Sequence, residues 1–192
     1  GSLCLKTNFK KSIIFVDRQD MPVFNIIRGD IMAKRLCQIT YESPIGDLAI
    51  VASDQAIIQI SLVQSSDFNK DENAHQLCLN CQKQLEEYFL GERETFDLPI
   101  AYEGTPFQQK VWKALQNVPY GAVTNYKELA IAVGNKRGYR AVAKALHDNP
   151  ILIMIPCHRV IASNGTLSGY AAGKHAKAYL LELEGFPVEM FF

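Results

Sequence analysis

Cys157 and His158 stand side by side in the apolar run Ile-Leu-Ile-Met-Ile-Pro-Cys-His-Arg-Val-Ile of residues 151–161. A thiol becomes a nucleophile when it loses its proton, and imidazole is the side chain suited to take that proton near neutral pH. The run reads as a buried strand stopped by Pro156, which would hold the thiol rigidly instead of on a mobile loop. In an extended segment neighbouring side chains point to opposite sides, so a bridging water, not direct contact, would carry a proton between the two. The residues alone leave a second reading open, with Cys157 a buried structural cysteine and His158 a satisfied core histidine.

A chain of 192 residues with 48% hydrophobic content has room for one large or two small domains around an ordinary core. No apolar run reaches the roughly 18 residues of a membrane span and no signal-peptide pattern opens the chain, so no membrane association and a cytoplasmic location, nuclear in a eukaryote, are expected. Cys4, Cys37, Cys78, Cys81 and Cys157 show no secreted-domain spacing, which fits a reducing compartment where a free thiol survives. The formal net charge of zero hides a split. Residues 1–100 carry 10 Lys+Arg against 14 Asp+Glu, whereas residues 101–192 carry 10 against 6. A polyanionic partner is therefore expected on the C-terminal half.

Residues 1–31 show no consistent period and are assigned no function; Gly1-Ser2 reads as an expression remnant and Met32 as an alternative start. Residues 41–47 read as a turn between two strands, followed by strands over 48–52 and 56–63, a small antiparallel sheet. Residues 74–90 place Leu77, Cys78, Cys81, Leu85, Tyr88 and Phe89 at helical spacing, closed by Gly91. Cys78 and Cys81 lie on that apolar face; His75 is no second ligand pair, so the two read as core and no metal is predicted. Residues 92–103 read as a strand and linker. The division is then an N-terminal extension over 1–31, an α/β domain over 32–101, and a C-terminal domain over 102–192.

In the C-terminal part, Thr105-Pro106-Phe107-Gln108 has the pattern of a capped helix start, with Phe107, Val111, Ala114 and Leu115 on its buried face and Pro119-Tyr120-Gly121 ending it. A helix-turn-helix follows: Asn125 and Glu128 as a capping box, Leu129, Ala130 and Val133 inside, Gly134-Asn135 as the turn, and a second helix over 138–147. Its inner face is expected to be Tyr139, Val142, Ala143 and Leu146. Arg140, Lys144 and His147 recur on the other side beside the small Ala141 and Ala145, a stripe that suits a phosphate backbone or is a solvated helix face. Asn164-Gly165 signals a hairpin, the wing of a winged helix. A last helix carries Ala176, Tyr179, Leu180 and Leu183 on one face, with Glu184 falling between Leu180 and Leu181 on a helical wheel. A carboxylate there is either partly buried, and wants a partner, or solvated at the helix end. The fold class is α/β: a small N-terminal antiparallel-sheet-plus-helix domain followed by a C-terminal winged helix-turn-helix domain. If Glu184 meets one nitrogen of His158, the other nitrogen can deprotonate Cys157 through water, a Cys–water–His–Glu relay.

Pro156-Cys157-His158-Arg159-Val160, flanked by Asn149-Pro150, Gly169-Tyr170, Leu180-Leu181 and Glu184-Gly185, resembles the signature of the O6-alkylguanine-DNA alkyltransferases, or methylated-DNA–protein-cysteine methyltransferases. The resemblance runs from Tyr41 to Gly185, densely from Thr105. It implies DNA repair in which Cys157 accepts an alkyl group from O6-alkylguanine stoichiometrically and irreversibly, O4-alkylthymine being left open as a second substrate. It further implies His158 as water-mediated base, Glu184 as its orienter, and Tyr126 as the group that meets the extruded nucleotide and helps protonate the leaving guanine. Arg140 would enter the base stack in place of the flipped base, with Ala141 and Lys144 beside it on the DNA. Asn149 would join recognition helix to active site, and Val160, Tyr170 and Ala171 would line the substrate pocket. The partner implied is double-stranded DNA held in its minor groove by a monomer, with no cofactor. Some relatives hold zinc in the N-terminal part, but no matching Cys/His set occurs here. Tyr139, Ala143 and Ala172 depart from the smaller residues the family often has, which bears on substrate range.

Three rivals remain. One is a lesion-binding sensor, whose known relatives lack the cysteine. Another is a winged-helix regulator with Cys157 as core, which leaves Glu184 unexplained. A cysteine hydrolase would need a direct Cys–His contact and an oxyanion hole.

Overall fold

The computed structural model describes residues 36–63 and 76–188. The readings of residues 1–31, Met32, Cys4 and His75 lie outside the described residues. Three strands, β1 (Cys37–Ser43), β2 (Gly46–Ala52) and β3 (Ile57–Leu62), form an antiparallel sheet in sequence order. The β1–β2 turn is tighter than the expected 41–47: Ser43 pairs with Gly46, leaving only Pro44 and Ile45 at the tip, and Gly46 supplies the positive φ of 114°. Helix α1 (Gln76–Phe89) lays Cys78, Cys81, Leu85, Tyr88 and Phe89 on the sheet. Cys78 donates from sulfur to the carbonyls of Cys37 and Ile50, at 3.6 and 3.9 Å. Burial raises the thiols of Cys78 and Cys81, the latter to about 12.

The strand expected within 92–103 does not form. The segment adds one parallel bridge, Ile100 to Ile57, framed by bonds from Ile57 N to Pro99 O and from Ala101 N to Ile57 O. Pro99 has no N–H, so a longer ladder through it would leave a gap.

Helix α2 (Pro106–Leu115) starts on the expected reciprocal cap between Thr105 and Gln108. Its buried face is Val111, Trp112 and Leu115, with Phe107 and Ala114 only partly covered. Trp112 donates from its indole nitrogen to Ala145 O at 2.8 Å and packs edge-on against Tyr102. Strand β4 (Thr124–Asn125) leads into α3 (Tyr126–Ala132), where Asn125 caps the amides of Lys127 and Glu128. Glu128 does not complete the box; its carboxylate accepts from Thr124 Oγ1 instead. Gly134 turns the chain with φ 80° into α4 (Tyr139–His147).

The inner face of α4 differs from expectation. Val142, Ala145 and Leu146 are buried, whereas Tyr139, at 52% exposure, and Ala143 face outward. The bond from Trp112 to Ala145 turns this side of the nine-residue helix inward; position 143 falls off the buried stripe, and Tyr139, though on it by spacing, is the first residue of the helix and stays exposed.

After a single 3₁₀ turn, Cys157–Arg159, strand β5 (Val160–Ile161) pairs in parallel with β4. The expected hairpin shrinks to a turn closed by Ala162 N to Thr166 O and Gly165 N to Ala162 O. A type I′ turn needs left-handed backbone at both Asn164 and Gly165, and only Gly165 has it. Asn164 instead uses its side-chain oxygen to accept from Thr166 N and Oγ1. Helix α5 (Lys174–Leu183) buries Ala176, Lys177, Leu180 and Leu181, leaving Tyr179 38% exposed with its ring against Phe89. One apolar cluster runs from Cys37 to Leu180 across position 101. No helix among the described residues is long and apolar enough to cross a membrane.

Trp112 links α2, α4 and Tyr102 at the centre of this cluster. Trp112→Ala should cost about 3–5 kcal/mol in urea unfolding; a loss below about 1 kcal/mol would show that the indole does not organise the helices.

Candidate active site

The run before Cys157 is not a strand. Its first residue bridges β3 through Ile60 N to Pro150 O and Leu152 N to Ile60 O, and then the chain coils on itself. Bonds from Ile155 N to Ile151 O and from Cys157 N to Ile155 O close successive turns, and Ile153 sits at φ 71°. A β-branched residue in that region is strained by about 1–3 kcal/mol and is held only where its surroundings over-determine it. Asn149 supplies the restraint. Its Oδ1 accepts from Ile151 N at 3.0 Å and its Nδ2 donates to Ile155 O at 2.8 Å, so one amide pins both ends of the coil. Apolar content could not distinguish this from a strand, because both are buried on every side.

Cys157 and His158 therefore lie in a 3₁₀ turn rather than an extended segment, and both are buried. Asn149 Nδ2 also lies 2.9 Å from Cys157 Sγ. Burial pushes the Cys157 thiol up to about 11, against the lowering effects of the Asn149 hydrogen bond and the Lys177 charge. At neutral pH the sulfur keeps its proton and needs a base.

His158 Nε2 is 2.7 Å from Glu184 Oε1, and neither side chain is exposed. A carboxylate only accepts, so the ring proton sits on Nε2 and the lone pair on Nδ1, which has no hydrogen-bond partner among the described residues. Burial lowers the His158 pKa below its ordinary value, with the Glu184 charge opposing, so the ring is neutral and Nδ1 is a base. Burial alone would raise Glu184. The hydrogen bonds and charges of His158 and Arg159 outweigh it and hold the carboxyl well below the usual carboxylate range.

Glu184 has more partners than the sequence suggested. Arg159 grips it bidentately, Nε to Oε2 and Nη2 to Oε1, both at 2.9 Å. Gly121 N donates to Oε2, and Tyr88 Oη donates to Oε1 at 2.7 Å. Arg159 is anchored in turn by Val118 O. The signal for Arg159 was present: a charged residue inside an apolar run needs a buried counter-charge. Nothing in the sequence pointed to Tyr88. Lys177 is also buried, donating to Val160 O and, at 3.3 and 3.4 Å, to Ser168 O and Oγ. Burial pushes its pKa down to about 8, with the Cys157 charge opposing. The hydroxyls of Ser168 and Tyr126 are 2.6 Å apart. Tyr170 stands edge-on to His158 at 6.3 Å, Val160 is buried and Ala171 is exposed.

Arg140, Ala141 and Lys144 are exposed on α4, with the Arg140 guanidinium 5.9 Å from the Tyr139 ring centroid. Lys144 pairs with Asp148 at 3.0 Å. Among the described residues no group of three His, Cys, Asp or Glu could hold a metal ion.

Acid titration checks the buried pair. The folded pKa of Glu184 lies below its ordinary 4.5, so the stability it contributes is present above pH 4.5 and is lost as pH falls through the folded value. That of His158 lies below 6.5, so the contribution of the neutral ring is complete above pH 6.5 and declines as pH falls. Both slopes have the same sign. Urea unfolding at stepped pH should show stability falling from pH 6.5 downward, and Glu184→Gln should lose about 3–5 kcal/mol and flatten the acid end of the profile. A profile flat in the parent would contradict the assignment.

The family model described as 6-O-methylguanine DNA methyltransferase, ribonuclease-like domain, matches residues 36–102, and that described as 6-O-methylguanine DNA methyltransferase, DNA binding domain, matches residues 106–186. The chain is 43% identical over 150 residues to a methylated-DNA–protein-cysteine methyltransferase of Methanosarcina barkeri, covering 74% of this chain and 93% of the relative. It is 41% identical over 157 residues to the constitutive methylated-DNA–protein-cysteine methyltransferase of Bacillus subtilis, covering 76% and 93%. The crystal structure of Mycobacterium tuberculosis OGT in complex with DNA is similar with a TM-score of 0.71 at 39% identity, over 80% of this chain and 96% of that one. On this similarity of sequence and fold, the chain belongs to the methylated-DNA–protein-cysteine methyltransferase family.

Proposed function

We infer that the protein repairs O6-alkylguanine in DNA by transferring the alkyl group to its own Cys157, once per molecule. The relatives' names specify methylated DNA as donor and a protein cysteine as acceptor. The observation that carries the reading to Cys157 is the 2.7 Å bond between Glu184 and His158 beside a buried free thiol.

The thiol proton passes through a water to His158 Nδ1, and Glu184 stabilises the imidazolium that forms. The thiolate attacks the alkyl carbon, a C–S bond forms, and the C–O bond breaks with its electron pair going to the guanine. Tyr126 donates the proton that neutralises the leaving base. The product thioether has no good leaving group, so the protein is consumed in the reaction and no cofactor is required. O4-alkylthymine presents the same ether carbon to the same sulfur.

A guanine inside the stack is out of reach, so the base must be flipped out at a cost of a few kcal/mol. In this reading α4 lies in the minor groove of double-stranded DNA, where readout is degenerate and repair at any sequence is possible. Arg140 fills the gap left by the flipped base. Ala141 allows close approach, and Lys144 exchanges its exposed pair with Asp148 for a phosphate at little energetic loss. Asn149 connects α4 to the sulfur, and Val160, Tyr170 and Ala171 line the pocket that receives the base. One copy suffices. The boundary near residue 101 separates the sheet unit from the unit that binds DNA and accepts the alkyl group.

Intact mass and peptide mapping after incubation with duplex DNA carrying one O6-methylguanine should show one methyl on Cys157, saturating at one per protein, and none for Cys157→Ser. Tight binding without a mass change would replace transfer by lesion sensing. Arg140→Ala should slow repair of the duplex lesion by about ten- to a hundredfold while leaving transfer from the free base O6-benzylguanine near parental. Equal loss on both substrates would remove Arg140 from the DNA contact.

A further inference from the structure

We propose that Tyr88 is a positioning residue for alkyl transfer, through which the N-terminal unit sets how strongly Glu184 supports His158. This rests on the reading of Glu184 and His158 given above. Tyr88 lies in the last turn of α1, 96 positions from Glu184 in the chain, and is fully buried. Its hydroxyl donates to Oε1, the same oxygen that accepts from His158 Nε2, each at 2.7 Å. The rings of Phe89, Phe96 and Tyr120 surround it at centroid distances of 5.5, 5.5 and 6.1 Å and fix its direction.

Burial, with the Glu184 charge second, raises the Tyr88 phenol far above its ordinary value, so toward the carboxylate it can only donate. Three donors, Tyr88, His158 and Arg159 Nη2, share the charge of this one oxygen, and what the phenol draws, the imidazole does not feel. Tyr88 thus holds Oε1 in line for His158 and limits how far Glu184 stabilises the imidazolium, keeping the ring neutral and Nδ1 free before reaction. The other groups around the pair act differently. Arg159 and Gly121 N bind Glu184 as fixed donors, Tyr120 and Tyr170 feel its charge, and Lys177 and Arg159 oppose protonation of His158.

The test is the pH profile of the transfer rate from duplex DNA containing O6-methylguanine, measured on the full chain. Removing the phenol donor by Tyr88→Phe leaves more carboxylate charge on His158, so the midpoint of the acid limb should move up by about half a pH unit or more. Tyr102→Phe, which removes a different tyrosine hydroxyl, one that accepts from Gln116 and not one that donates to Glu184, should leave the midpoint in place. Should Tyr88→Phe fail to fold, 3-fluorotyrosine at position 88, a stronger donor, moves the midpoint down. A profile that superimposes on the parent for either replacement overturns the proposal. Glu184→Gln separates the two levels: an unchanged acid limb there sinks the reading of Glu184 itself, and Tyr88 with it, whereas an altered limb there beside an unchanged Tyr88→Phe sinks only Tyr88.

Discussion

One buried carboxylate organises this protein. Glu184 accepts from His158, Arg159 twice, Tyr88 and Gly121, so α1, the loop before β4, the 3₁₀ turn and the end of α5 all converge on two oxygens. Taking a carboxylate and a guanidinium out of water costs several kcal/mol each, and only a fully bonded arrangement offsets it. Removal of any single donor is therefore felt by the others. The same saturation keeps the carboxyl ionised, which fixes the tautomer of His158 and leaves Nδ1 basic.

A second constraint is local. Asn149 holds the coil of residues 151–155, accepts the left-handed Ile153 as part of that geometry, and reaches Cys157 Sγ with the amide that closes the coil. Backbone strain and thiol placement thus share one side chain. Since Asn149 follows α4 almost directly, a displacement of that helix has a short, stiff route to the sulfur.

The charges around the sulfur divide their roles. Burial raises the thiol to about 11, which protects it from indiscriminate reaction, and Lys177 and Asn149 moderate that rise without ionising it. Lys177 spends its hydrogen bonds on Val160 O and Ser168, and Ser168 meets Tyr126, so the buried ammonium also braces the wall from which the phenol of Tyr126 projects.

The sequence by itself determined most of the elements and singled out the candidate reacting groups. Periodicity gave the three-stranded sheet, α1, the Thr105 cap, the helix-turn-helix and the last helix, because each depends on contacts within a few residues. The wheel position of Glu184 left its burial open between two readings, and the adjacency of Cys157 and His158 marked them as candidates for thiol chemistry. Tertiary structure decided what depends on distant partners: the coil in place of a strand, the rotation of α4 by Trp112, and the shortening of the wing where β5 pairs with β4. It alone brought Tyr88 across 96 residues to Glu184 and gave Lys177 its buried carbonyls, since no local pattern records which polar groups will meet in a core once the elements pack.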